Sequence, residues 1–316
     1  MNILIIGAGA YGLALSTILS DKNEVTVYSS IKEEIKTLEN TYKNEKLFPN
    51  VEISKKIKFI NKIENKYDLI VLALPTSIIE QELLKIKDKI KNIPIIITSK
   101  GIYKNKFPYE IIKKILKTKQ IYILSGPSFA IDTIKKQPLS LTLAGPKNKI
   151  KTIFNEEYIN IEETTDIRGT EVCGAIKNIY AIGSGILEGL NASESTKASY
   201  LTKIINETKT IIKELKGNEK TILLPCGVGD IILTCTSATS RNFKLGYMIG
   251  NNEPIKEYIS KTTVEGINTL TEINKMIRIK KYVIINTIYN IIYNNEKKES
   301  IMKVWIYDNR RRFKDN

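Results

Sequence analysis

Histidine is absent from all 316 residues, and cysteine occurs three times, at Cys173, Cys226 and Cys235, with no C-x-x-C spacing. These shortages leave almost no material for a zinc site or a disulfide framework, so no metal and a reducing, cytoplasmic setting are expected. They also remove the commonest general acid/base. Any proton transfer must then fall to Lys, Asp, Glu, Tyr or Cys. No uninterrupted apolar run reaches the roughly 18 to 20 residues that cross a bilayer, so no membrane role is expected. The first twenty residues do not read as a secretory signal either, because no Lys or Arg precedes the apolar run and three glycines interrupt it. No internal repeat of fixed period is visible.

Positive charge is abundant, 49 Lys and Arg against 34 Asp and Glu, for a net charge of +15. The lysines are spread along the whole chain, as on a solvated surface, and the tight cluster Arg310-Arg311-Arg312 reads as a basic tail. No nucleic-acid partner is expected. With 42% hydrophobic residues, a chain of this length can build a sizeable core.

Behind the apolar run Asn2 to Ile6 stands Gly7-Ala8-Gly9-Ala10-Tyr11-Gly12, followed by an apolar helical pattern to Leu19. This is the layout of a strand, a tight turn and a helix that binds a dinucleotide pyrophosphate. Gly7 serves the turn, Gly9 leaves room for the phosphates, and Gly12 lets the helix pack close to its strand. Further strands are expected at Val25 to Tyr28, Leu69 to Leu74, Ile95 to Thr98, Ile121 to Leu124, Leu139 to Ala144 and Tyr158 to Ile161. Helices are expected at Ile78 to Ile90 and Tyr109 to Lys117. From about Gly169 long helical segments take over, Thr170 to Leu190 and Ser195 to Leu215 among them. The expected fold class is α/β: an N-terminal Rossmann-like doubly wound sheet, residues 1–168, plus an all-α C-terminal domain, residues 169–316.

Charge is also scarce locally. At the chain-wide 26%, Val172 to Leu187 should carry about four charges, yet only Lys177 appears; Thr221 to Asn242 should carry about six and holds Asp230 and Arg241. A buried lysine has its pKa lowered by desolvation and by a second cation nearby, which makes it a usable acid/base, with Asp230 to orient it. Lys100 follows a predicted parallel strand, at the carboxyl edge where ligands of such sheets bind, and Ser125 to Ala130 follows the next strand in the same way.

Taken together, these residues resemble the bacterial-type NAD(P)-dependent glycerol-3-phosphate dehydrogenases over nearly the whole chain. The resemblance rests on Gly7 to Gly12, Leu72 to Thr76, Ser99-Lys100-Gly101, Leu124 to Ala130, Glu171 to Asn178, Gly229-Asp230 with Thr234-Cys235, Ser240-Arg241-Asn242 and Val264-Glu265-Gly266. It implies hydride transfer between NAD or NADP and the C2 of a triose phosphate, in a cytoplasmic homodimer that supplies glycerol 3-phosphate for phospholipid synthesis. By position it implies Lys177 as proton donor/acceptor, assisted by Lys100 and Asp230. Substrate contacts would come from Lys100, Gly126, Ser128, Lys177, Asp230, Ser240, Arg241 and Asn242. The coenzyme would be lined by Gly7, Gly9, Ala10, Tyr11, Gly12, Ser30, Leu47, Pro75, Lys100, Ala130, Arg241, Thr263 and Glu265. The chain departs from the family pattern at Tyr11, usually Trp, and at Ser29-Ser30, where Arg is frequent, which leaves NAD against NADP open. Two other readings share parts of this signal: a 3-hydroxyacid or phosphogluconate dehydrogenase, and a non-catalytic NAD(P)H-sensing regulator that would need only the glycine turn.

Overall fold

The computed structural model describes residues 1–304 apart from positions 65, 117, 148 and 155. The Arg310-Arg311-Arg312 tail lies outside the described residues. The chain divides into two compact units, one made of Met1–Lys100 with Phe107–Ile167, the other of Gly101–Lys106 with the chain from Arg168 on.

Among its described residues the first unit has eight strands: β1 (Asn2–Ile6), β2 (Glu24–Tyr28), β3 (Lys58–Ile60), β4 (Leu69–Leu72), β5 (Ile95–Ile97), β6 (Ile121–Ser125), β7 (Leu139–Ala144) and β8 (Ile159–Thr164). They form one sheet in the order β3-β2-β1-β4-β5-β6-β7-β8. The first six run parallel, with Ile3 opposite both Val25 and Leu69, and this 3-2-1-4-5-6 order is that of the dinucleotide-binding fold. β7 turns back antiparallel to β6, and β8 runs parallel to β7. The central strands β4, β5 and β6 are buried along their whole length, which is why β4 and β5 read as unbroken Ile, Leu and Val runs and β6 departs from one only at Tyr122 and Ser125.

Five helices connect these strands: α1 (Ala10–Leu19), α2 (Lys32–Thr41), α3 (Ile79–Ile86), α4 (Pro108–Leu116) and α5 (Ala130–Ile134). The expected helix over Ile78 to Ile90 is α3 with a 3-10 turn at each end, Thr76–Ile78 and Lys87–Lys89. The strand expected to Leu74 stops at Leu72, and Pro75 then leads into that first turn. β3 escapes a periodicity reading because it is three residues long and only Phe59 in it is fully buried.

Among the described residues, helices make up the regular structure of the second unit, apart from an isolated bridge between Tyr103 and Lys106. α6 (Ile167–Gly189) is buried at twenty of its 23 residues, and α7 (Glu194–Glu214) starts at Ser193, whose side chain accepts the Thr196 amide. They are followed by α8 (Asp230–Thr236), α9 (Arg241–Gly250), α10 (Lys256–Lys261), α11 (Glu265–Met276) and α12 (Val283–Tyr293). α6 and α9 approach nearly to backbone contact: a Cβ on Gly185 or Gly189 would strike the Phe243 or Tyr247 carbonyl, and one on Gly246 or Gly250 the Ile182 or Ile186 carbonyl. Four glycines at i, i+4 spacing, two per helix, thus bring Asn242 of α9 against Asn178 of α6. α7 also anchors α12, because the Glu207 carboxylate accepts the Ile284 and Ile285 amides at 3.0 Å and replaces a cap at that helix start.

Candidate active site

The first unit places its candidate residues along one sheet edge. Gly7, Pro75, Lys100 and Gly126 follow the carboxyl ends of β1, β4, β5 and β6, four strands that run side by side in the same direction. β1 and β4 flank the point where strand order reverses, the crevice that such sheets offer to ligands.

The three glycines of the opening turn separate by purpose. Gly7 has φ +115° and its missing Cβ would sit 2.5 Å from the Ala73 carbonyl, so the turn and the closeness of β4 both demand glycine. A Cβ on Gly12 would fall on the Gly7 carbonyl, so this residue lets α1 close over its own turn. Gly9 is different: its backbone is extended at φ −70°, and nothing lies within 4 Å of where a Cβ would be. Folding does not require glycine there, whereas a ligand approaching the backbone does. No side chain caps α1 and no acidic residue stands in its first turn, so its leading amides and dipole face that open space. These residues fit the pyrophosphate of a dinucleotide.

Around this turn Tyr11 and Ser128 share a hydroxyl hydrogen bond of 2.9 Å, and α5, which begins at Ala130, packs on α1. Lys100 Nζ donates to the Gly126 carbonyl at 3.1 Å, and its loop is pinned by Ser99 Oγ on the Leu74 carbonyl at 2.5 Å and by Thr98 Oγ1 on the Leu72 carbonyl at 3.1 Å. Tyr11, Lys100, Gly126 and Ser128 therefore form one connected group. Ser30 is exposed beyond β2, Pro75 is exposed, and Leu47 is half-buried against the unit's core.

The second unit holds the charged centre. Lys177, on the buried helix α6, donates to Asp230 Oδ1 at 2.6 Å and to Thr234 Oγ1 at 2.7 Å. The side chains of Lys177 and Asp230 are 8% and 1% exposed, so this is an ion pair within the protein rather than a surface contact. Asp230 opens α8 and Thr234 stands one turn later, which puts both oxygens on one face. Thr234 stood in the motif that carries the resemblance, but reading the sequence assigned it no role; its i+4 spacing from Asp230 was the available signal.

Other titratable groups near this centre are held protonated. Burial pushes the Cys235 thiol up to about 12, against the lowering effect of Ser184 and Lys177, and burial raises the Tyr180 and Tyr200 phenols well above their usual value.

Asn178, next to Lys177, accepts from Asn242 Nδ2 at 3.0 Å, and Asn242 Oδ1 in turn accepts the Gly266 amide at 2.8 Å. This side-chain amide ties α6, α9 and α11 together. Ser240 caps α9 by accepting the Phe243 amide at 3.3 Å, and Arg241 lies exposed at the first helical position. Burial raises the Glu265 carboxyl, with the Arg241 charge acting to lower it, and Thr263 is exposed two residues earlier. Lys177, Asp230, Asn178 and Asn242 are thus buried, while Arg241 is presented to solvent. Among the described residues no group of three or more Cys, Asp or Glu is placed to hold a metal ion, and no helix is long and apolar enough to cross a membrane.

Residues 2–151 match the family model for the N-terminus of NAD-dependent glycerol-3-phosphate dehydrogenase, and residues 166–303 match the model for its C-terminus. The glycerol-3-phosphate dehydrogenase [NAD(P)+] of Mesoplasma florum is 34% identical over 95% of this chain and 96% of its own length. That of Leptospira biflexa is 30% identical, with 96% of each chain covered. The crystal structure of glycerol-3-phosphate dehydrogenase from Coxiella burnetii shares the fold with a TM-score of 0.89 at 22% identity, covering 96% of this chain and 98% of its own. The chain belongs to the NAD(P)-dependent glycerol-3-phosphate dehydrogenase family.

Proposed function

We propose that this chain interconverts dihydroxyacetone phosphate and sn-glycerol 3-phosphate with NAD or NADP, and that Lys177 is the acid/base at the substrate's C2 oxygen. One observation carries the assignment of Lys177: its ammonium is buried and held by Asp230 and Thr234, in a chain without histidine. The coenzyme, when bound, supplies a hydride to C2 or accepts one from it. In the reducing direction an N–H bond of Lys177 breaks and its proton passes to the C2 oxygen as negative charge builds there; in the oxidising direction the neutral amine takes the hydroxyl proton. Asp230 and Thr234 keep the amine aimed through both half-reactions.

The amide of Asn178 stabilises the developing charge on that oxygen through its Nδ2, because Asn242 already engages its oxygen, and Lys100 is a further contact that the family resemblance implies. The phosphate is taken by the Arg241 guanidinium together with the backbone amides of Arg241 and Asn242, which open α9 and have no carbonyl in the helix to pair with. Ser240 and Asn242 hold that turn in place, and Gly126 and Ser128 are further substrate contacts. The glycine turn with Ala10 and Tyr11, and with Ser30, Leu47, Pro75, Ala130, Thr263 and Glu265, lines the coenzyme. In this reading residues 1–168 carry most of the nucleotide contacts, and residues 169–316 carry the acid/base and the phosphate clamp. It also makes the protein a cytoplasmic homodimer, without nucleic-acid or membrane partners, that supplies glycerol 3-phosphate to phospholipid synthesis.

The test is to follow NADH and NADPH absorbance with dihydroxyacetone phosphate and, in parallel, with a panel of hydroxy- and ketoacids. Triose phosphate is expected to be turned over, and Lys177→Ala to lower kcat by about 10²–10⁴-fold or more with coenzyme binding unchanged. A fully active Lys177→Ala enzyme overturns the role of the lysine. Turnover of the acids in place of the triose phosphate overturns the substrate, and coenzyme binding with no turnover of either favours a sensor.

A further inference from the structure

We propose that the Glu34 carboxylate, folded back onto Ser29 at the end of β2, makes NADH rather than NADPH the preferred coenzyme of this chain. The inference deepens the dinucleotide reading of the first unit and rests on it. In this fold the residue following β2 stands beside the adenosine ribose, where a carboxylate accepts from the 2′-hydroxyl of NAD and an arginine accommodates the 2′-phosphate of NADP. The residues at that place are Ser29 and Ser30, which decide nothing by charge.

The structure supplies the missing carboxylate from further along the chain. Ser29, 8% exposed, donates its hydroxyl to Glu34 Oε2 at 2.6 Å, and its oxygen accepts the Ile31 amide at 3.2 Å. Five residues downstream in sequence, Glu34 is thereby brought to hydrogen-bond distance of the residue that follows the strand. A carboxylate held this way accepts hydrogen bonds and repels phosphate.

Two further observations point the same way. The start of α2 would otherwise attract an anion through its dipole, but Glu33 and Glu34 occupy its first turn, in contrast to α1, whose first turn is free of acids. A cavity of about 550 Å³ beside α2 is lined by Glu33, Glu34 and Glu45 and by Lys43, whose ammonium already lies 3.9 Å from Glu52. The bases at hand are the exposed Lys32 and Lys36, single charges on flexible stems. Arginine does not occur at all before Arg168, so the 161 residues that compose the first unit carry no guanidinium fork for a 2′-phosphate.

Calorimetric titration of the full-length protein with NADH, NADPH, 5′-AMP and adenosine 2′,5′-bisphosphate tests the idea, alongside kcat/KM for both coenzymes. NADH is expected to bind roughly tenfold or more tightly than NADPH, and the bisphosphate to bind more weakly than 5′-AMP. Glu34→Gln keeps a hydrogen-bond partner for Ser29 and removes the charge; it should tighten NADPH and the bisphosphate by about tenfold while changing NADH less than threefold. Lys32→Gln should leave the ratio unchanged. Equal or tighter binding of NADPH by the wild type, or a Glu34→Gln ratio equal to that of the wild type, overturns the proposal. Failure of every one of these nucleotides to bind overturns the dinucleotide reading instead, a result plainly different from a reversed preference.

Discussion

Removing one member of the Lys177–Asp230 pair should damage the protein more than removing both. The two side chains are 8% and 1% exposed, and their 2.6 Å contact is taken out of water at a desolvation cost that only the partner offsets. Asp230→Leu takes the carboxylate from the buried ammonium and leaves the Thr234 hydroxyl, at 2.7 Å, beside it, and the expected cost is about 3–5 kcal/mol. Lys177→Met leaves the Asp230 carboxylate without its cation, at a similar cost of about 3–5 kcal/mol. The double substitution Lys177→Met with Asp230→Leu replaces both charges by apolar groups of similar size and should cost about 0–2 kcal/mol, so the coupling energy exceeds about 3 kcal/mol. Urea unfolding of the wild type and the three variants, followed by far-UV circular dichroism, measures this cycle; unchanged m-values would show that the shifts in midpoint reflect stability. All three variants should lack dehydrogenase activity, so regained stability in the double variant without regained turnover separates the chemical role of the pair from its structural one. Additive costs to within about 0.5 kcal/mol would refute the burial argument, because an exposed or water-bridged pair couples only weakly.

The glycine turn should split in the same spirit. Gly9→Ala, with open space around its Cβ and φ −70°, should shift stability by less than about 1 kcal/mol yet weaken NADH binding about tenfold or more, whereas Gly12→Ala, whose Cβ lands on the Gly7 carbonyl, should cost about 1–3 kcal/mol of stability. Thermal melts and coenzyme titration read both effects, and a Gly9→Ala protein that binds NADH like the wild type would remove the pyrophosphate from that place. Glu265 offers a pH test. Burial raises its carboxyl, Arg241 opposing, so the stability of the folded state is fully present below the ordinary carboxylate pKa and declines as pH rises through the raised value. Glu265→Gln should flatten that decline, so that its advantage over the wild type in urea midpoint grows as pH rises above the ordinary carboxylate range. A midpoint difference that does not change with pH would show that the carboxyl titrates normally.

The local signals carried far because they depend on the chain's own periodicity and turn chemistry. Gly7 to Gly12 behind a buried apolar strand announces the turn, and the change of pattern near Gly169 announces the helical half. The isolated position of Lys177 in a charge-poor helix marks it before any partner is known. Elements whose stability is not local were harder to read. β3 is three residues long and is held by pairing with β2, a contact between segments some thirty residues apart. The reversal at β7 leaves no trace in an apolar run, since parallel and antiparallel strands bury the same side chains.

What the amino-acid order determined by itself, then, is which segments are strands, turns and helices, and where ionisable groups stand among apolar neighbours; these follow from side-chain spacing over a few residues. Only the tertiary structure decided the partners. Lys177 meets Asp230 and Thr234 across more than fifty residues, Asn242 reaches Asn178 because four glycines let α6 and α9 close up, and Glu34 reaches Ser29 only because α2 begins where β2 ends. The first two choices are set by packing between distant segments and the third by the path of the loop between strand and helix, and a hydrogen bond 2.6 Å long has no counterpart in the spacing of residues along the chain.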